Sequence, residues 1–150
     1  MRPYAIIALL LVWLPTAGNL LYGQQPAVAL NGATCPVTGR PVDTAVSIQY
    51  LGQRLYFSSA ASIAVFQAHQ AKYAPWANYQ LALTGQARQV NCPFTGKPVN
   101  PAFERVKVGA LDIGFCCRAC QQTLAQADAQ TRLDLAFGDN FGRAFVLVKK

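Results

Sequence analysis

Apolar side chains fall into three kinds of pattern along this chain. Residues 5–14 form an unbroken apolar run, Ala-Ile-Ile-Ala-Leu-Leu-Leu-Val-Trp-Leu. Further on, Val46, Ile48 and Tyr50 alternate with polar neighbours, and after Gly52 the apolar positions resume at Leu55 to Phe57. Val106 and Val108, then Gly109, then Leu111, Ile113 and Phe115 repeat that layout. Period two on either side of a glycine predicts a β-hairpin in each place. A helical spacing follows each hairpin. Ile63 and Phe66 lie three residues apart behind Ser58 and Ser59, either of which can cap a helix. Residues 121–127 are rich in good helix formers and carry Leu124 and Ala125. Residues 74–89, with Pro75 and Gly85, read as a linker holding one short helix over residues 76–83, and the β-branched run Ala144-Phe-Val-Leu-Val148 predicts a last strand.

The hairpins belong to a longer internal repeat. Cys35-Pro-Val-Thr-Gly-Arg-Pro-Val-Asp43 returns as Cys92-Pro-Phe-Thr-Gly-Lys-Pro-Val-Asn100, with only mild substitutions. Aligned through the hairpins, Ser58, Ser59 and Ser62 of the first copy stand opposite Cys116, Cys117 and Cys120 of the second, with one inserted residue in the second hairpin. The expected architecture is α+β, two small repeats that each run knuckle turn, hairpin, helix: residues 30–75, a linker at 76–90, and residues 91–150.

The first 29 residues change the setting. Arg2 is the only charge before Arg40; the apolar run follows it and ends in Pro15, Thr16, Ala17 and Gly18. That order is a secretory signal, with cleavage expected near Ala29 or Gly23, and a span of about 20 apolar residues is not reached. The mature protein is then periplasmic or secreted, and touches a membrane only if the signal stays uncleaved. Thirteen Lys and Arg against six Asp and Glu give a net charge of +7. In an exported chain this points away from nucleic acid, and with no basic cluster beyond Lys149 and Lys150 it reads as solvated surface.

Five cysteines carry the candidate chemistry. The proline and glycine of Cys92-Pro-Phe-Thr-Gly-Lys force a tight turn that can aim backbone amides at a thiolate sulfur. The missing second knuckle cysteine, at Thr95, is replaced by the group that opens the next helix. Cys116 and Cys117 are four and three residues from Cys120, so either pair lies on one helical face, which only one of the two adjacent cysteines can share fully. The helix N-terminus and Arg118 favour thiolates there. A three-thiolate site of Cys92, Cys116 and Cys120 follows, with Cys117 as substitute or fourth ligand, and soft sulfur selects one Cu(I) or Zn(II) ion over Mg or Ca. Cys35 has serines where ligands belong; it is expected as a small apolar remnant, or as a further ligand should the copies dock face to face. His69, the single histidine, is expected at the surface or as a cap near the end of the first helix.

Disulfides are the competing reading, Cys92 with Cys116 or Cys117, or Cys35 with Cys92; an odd number of thiols leaves one over. A structural zinc or interaction module, and thiol redox chemistry through Cys117-Arg-Ala-Cys120, complete the alternatives. No Ser/His/Asp set, spaced carboxylate pair or Gly-rich phosphate loop is present, so no enzyme is expected.

The C-P-x-T-G-[KR]-P-V turn, the hairpin and Phe115-Cys-Cys-x-x-Cys120, with Phe57-Ser-Ser-x-x-Ser62 as thiol-free counterpart, resemble the YHS/TRASH family of small treble-clef-like modules over most of residues 35–137. The resemblance implies copper or zinc binding in sensing, trafficking or resistance, beside a metal transporter or another envelope protein. The commoner family turn carries its cysteine where Thr38 and Thr95 stand here.

Overall fold

The computed structural model describes residue 30 and residues 32–149. The expected signal segment and its cleavage site lie outside these residues. Three two-stranded antiparallel sheets and five helices make up the described part, an α+β arrangement. The first half holds strands β1 (Asp43–Tyr50) and β2 (Gln53–Phe57), then helices α1 (Ala60–Ala68) and α2 (Gln70–Leu83). Strand β3 (Ala87–Gln89) leads into the second half, with β4 (Val106–Val108), β5 (Leu111–Ile113), α3 (Arg118–Gln126), α4 (Ala129–Phe137), α5 (Phe141–Ala144) and β6 (Phe145–Leu147).

Both hairpins turn in two residues. Tyr50 pairs with Gln53 across Leu51 and Gly52, whose φ values of 51° and 74° are those of a turn that follows the strand twist. Val108 pairs with Leu111 across Gly109 and Ala110. A Cβ on Gly109 would collide with the Tyr79 hydroxyl, which accepts the Ala110 N–H at 2.9 Å. Through this bond α2, from the first half, holds the hairpin of the second.

The stretch expected as a linker is built into the fold. Helix α2 starts six residues earlier than the short helix anticipated from the sequence and contains Pro75. Proline forfeits one backbone bond, but His69 already separates α1 from α2, and Pro75 lies against Gly138, with its Cγ 3.7 Å from where that residue's Cβ would be. Ala77 and Leu81 on α2 are completely buried. Strand β3 pairs antiparallel with β6, Ala87 opposite Leu147 and Gln89 opposite Phe145, so the last strand joins the segment between the two halves.

The buried apolar side chains of both halves form a single cluster, with Leu55, Phe57 and Phe66 from one and Ile113, Phe115, Leu124 and Phe137 from the other. The core positions Phe57, Phe66 and Phe115 are fully buried, and Tyr73 packs on the edge of the cluster. Leu124 is buried as the periodicity requires, while Ala125 faces solvent.

Strand edges left open by such small sheets are closed by glutamines. Gln80 Oε1 accepts the Tyr56 N–H at 2.8 Å, and its Nε2 donates to the Tyr56 and Thr34 carbonyls at 2.9 and 2.8 Å. Gln86 clasps the Arg54 backbone in the same two-bond manner at 2.9 and 2.8 Å, and Gln89 clasps Gly114 at 2.9 and 2.8 Å. Each amide side chain stands in for the strand that the edge lacks. Gln80→Leu leaves buried backbone groups without partners, at roughly 1–3 kcal/mol apiece, so a loss of about 3 kcal/mol is expected in urea unfolding of the reduced protein. A loss below about 1 kcal/mol would mean the clasp contributes little.

Candidate metal centre

Each Cys-Pro-x-Thr-Gly turn closes in the same way. The Cys92 N–H donates to the Lys97 carbonyl at 2.8 Å and the Gly96 N–H to the Cys92 carbonyl at 2.9 Å; the Cys35 turn has the matching bonds at 2.7 and 2.9 Å. Isolated bridges, Thr34 with Pro41 and Asn91 with Pro98, seal the two turns. Gly39 and Gly96 take φ values of 68° and 69°, a left-handed conformation that a side chain would oppose.

The helix starts correspond too. Ser59 is the N-cap of α1 (φ −166°, ψ 162°) and its side chain accepts the Ser62 N–H; Cys117 is the N-cap of α3 (φ −157°, ψ 164°) with no such bond. The hydroxyl contacts of Ser62 with Ser58 and Ser59, at 3.3 and 2.9 Å, become sulfur contacts of Cys120 with Cys116 and Cys117, at 4.0 and 3.5 Å. Thr38 meets Ser58 at 3.0 Å, and Thr95 meets the Cys116 sulfur at 3.2 Å. Thr95 is therefore more than the place of an absent knuckle cysteine: its hydroxyl orients a thiol.

The hairpin of β4 and β5 carries the chain from the turn back to the start of α3, and this brings three sulfurs together. Those of Cys92, Cys116 and Cys120 all lie within 4.8 Å of one another. Tetrahedral zinc, with Zn–S bonds of about 2.3 Å, places its sulfurs ~3.8 Å apart, so closing the triangle on such an ion takes a contraction of at most about 1 Å. Cys92 is fully buried, Cys120 is 9 % exposed, and Cys116 and Cys117 are half-buried. Cys117 lies outside the triangle and meets it at Cys120, sulfur to sulfur at 3.5 Å. All five thiols are free, and none of the pairs weighed as disulfides is bonded.

Local electrostatics separate these thiols. Burial pushes Cys92 up, but the backbone N–H groups of Cys116, Thr95 and Phe94 and the Thr95 hydroxyl outweigh it and bring the thiol down to about 7. The amides of the turn thus face the sulfur, as the Pro and Gly positions led one to expect. Cys120 moves the other way: burial, then its contacts with Cys117 and Cys92, hold its proton on. Cys117 is lowered chiefly by the N–H and thiol of Cys120 and by Cys116, with Arg118 not among the leading causes.

Cys35 is buried in its own turn. Burial raises its thiol, and hydrogen bonds from Thr38 and Ser58 more than offset this, leaving it at about 6. Its polar partners are hydroxyls and amides of the first half, and the triangle of sulfurs does not include it. His69 is exposed and forms the cap between α1 and α2.

One bracing residue was invisible in the sequence. Arg143 on α5 donates to the Phe94 carbonyl at 2.9 Å, and its Cγ sits 3.0 Å from where a Gly96 Cβ would be. The long-range packing of the last helix against the second turn puts it there. Phe94 itself stacks on Phe115, with centroids 6.3 Å apart, which ties the turn to the end of the hairpin. Among the described residues no helix is long and apolar enough to cross a membrane. No protein-family model, curated protein or solved structure matches the chain.

Proposed function

We propose that this chain is an exported heavy-metal-binding protein of the YHS/TRASH kind, holding one Cu(I) or Zn(II) ion through Cys92, Cys116 and Cys120, with Cys117 as a relief or fourth ligand. The observation that carries the reading is the convergence of three free sulfurs within 4.8 Å at the foot of an amide-lined turn. Thiolates select soft ions, and the absence of carboxylates or histidine from the group argues against a hard one. Native mass spectrometry of the reduced protein, with and without chelator, tests it. One ion per chain at micromolar or better affinity is expected; no retained Cu(I) or Zn(II) sinks the proposal.

The first turn bears on whether the ion is a staple or a cargo. Its Thr38, Ser58, Ser59 and Ser62 hydroxyls close an equivalent arrangement by hydrogen bonds alone. A turn of this type therefore closes without an ion, which favours an exchangeable cargo, in trafficking, sensing or resistance, over a purely structural zinc. The α+β scaffold, with each turn followed by a hairpin and a helix, is what a treble-clef-like module would present. Export rests on residues 1–29, and cell fractionation with N-terminal sequencing of the mature chain tests it.

Binding should also follow pH in a defined sense. Cys120, with its proton held more tightly than usual, must release that proton to an incoming ion across the neutral range. Cys92, brought down to about 7, adds a further displaced proton only below that pH. Apparent affinity is expected to fall by at least about tenfold per unit as pH drops toward 7, and more steeply below it. A competition titration between pH 6 and 8.5 that finds affinity flat would refute this ordering of the thiols.

A further inference from the structure

We propose that Cys117 and Cys120 form a thiol–disulfide couple that shares Cys120 with the metal triangle, so that oxidation and metal occupancy exclude one another. Only the exclusion rests on the metal reading; the couple stands on its own geometry.

The two sulfurs are 3.5 Å apart, in van der Waals contact, on a C-x-x-C segment where Cys117 caps α3 and Cys120 lies in its first turn. Closing them into a bond needs a shift of about 1.5 Å, since a disulfide is ~2.05 Å long. Access differs between them. Cys117 is half-exposed and lies outside the triangle, while Cys120 is 9 % exposed and belongs to it. This is the division between an attacking and a resolving thiol. Cys116 is less suited to attack: its sulfur is held against the Thr95 hydroxyl at 3.2 Å and is 4.0 Å from Cys120. Cys92, fully buried, is out of reach of a small oxidant.

The oxidant class is a small-molecule disulfide such as oxidised glutathione. The Cys117 thiolate attacks one of its sulfurs, the oxidant's S–S bond breaks, and the departing thiolate takes a proton. Cys120 then attacks the Cys117 sulfur of the mixed disulfide, giving up its proton, and the second small thiol leaves. The protein dithiol is oxidised by two electrons and one small disulfide is reduced to two thiols. With Cys120 consumed, Cys92 and Cys116 alone remain of the triangle. A bound ion, conversely, occupies the resolving sulfur.

The test uses the full chain, reduced and then exposed to oxidised glutathione, quenched in acid, alkylated and mapped. Trypsin cleavage after Arg118 puts Cys117 and Cys120 on separate peptides, so the link is read directly, and fragmentation between Cys116 and Cys117 assigns it. A single Cys117–Cys120 link is expected, lost in Cys117→Ser and kept in Cys35→Ser; serine at position 117 copies the Ser59 cap, and circular dichroism confirms folding. With Zn(II) held at 100 times its Kd, link formation should slow about 100-fold. A link between any other pair, or none, overturns the couple. Bound zinc that leaves the rate unchanged overturns the exclusion. A reduced protein that binds neither zinc nor copper overturns the metal reading alone, and the mapped link still decides the couple.

Discussion

Cys92→Ser is expected to lower affinity for Zn(II) or Cu(I) by at least about 100-fold. An apparent zinc binding energy of about 12 kcal/mol over four ligands assigns ~3 kcal/mol to each thiolate, which is that factor, and a site of three has more resting on each. Cys92 is also the thiolate that the backbone amides of the turn are aimed at, so its loss removes the best-prepared ligand. The fold should survive, because the turn keeps its backbone bonds and a hydroxyl is of similar size. Cys117→Ser, outside the triangle, should cost far less, under about tenfold. Competition against a chromophoric chelator measures both. Equal losses at positions 92 and 117 would show that the ion sits elsewhere among the thiols than the geometry places it.

The converse substitution tests whether the turn geometry is itself sufficient. Ser58→Cys with Ser62→Cys places two sulfurs beside Cys35, whose thiol is already brought down to about 6. The hydroxyls they replace are 3.3 Å apart, against 4.0 Å for the sulfurs of Cys116 and Cys120 in the second half. The helix start has nearly the same backbone angles in both places. The double variant is expected to carry two ions per chain in native mass spectra where the parent carries one. A folded variant that still carries one would show that more than this backbone distinguishes the halves. Thr38 and the Pro and Gly of the first turn are unchanged in this experiment, so the side-chain exchange alone is under test.

The two substitutions rely on parts of the chain with very different legibility. The turns, hairpins and helix starts could be read in advance because each rests on short-range chemistry. Gly39, Gly96, Gly52 and Gly109 take left-handed angles that glycine tolerates, and period-two strands on either side of Gly52 and Gly109 must pair. Ser59 opens α1 with an accepted N–H, a preference any exposed helix start would have. The thiols follow, since a turn, a two-residue hairpin and a helix start leave Cys92 little choice but to meet Cys116 and Cys120.

Pro75 shows where local rules misled. Proline and a nearby glycine read as a linker holding a short helix over residues 76–83, yet α2 already starts at Gln70, runs through Pro75 and supplies Ala77, Leu81 and the Gln80 clasp to the fold. Burial against α4, β2 and β3 outweighs one lost backbone bond.

What the sequence by itself determined is the twofold Cys-Pro-x-Thr-Gly plan, the α+β class and the set of thiols that can meet, because turn, hairpin and helix start each follow from local backbone preferences and alternation and are joined in chain order. What only the tertiary structure decided is which elements close on which: β6 on β3, Tyr79 on the second hairpin and Arg143 on the second turn. These depend on one core shared by both halves and on glutamines finding open strand edges, and no spacing along the chain encodes such distant packing.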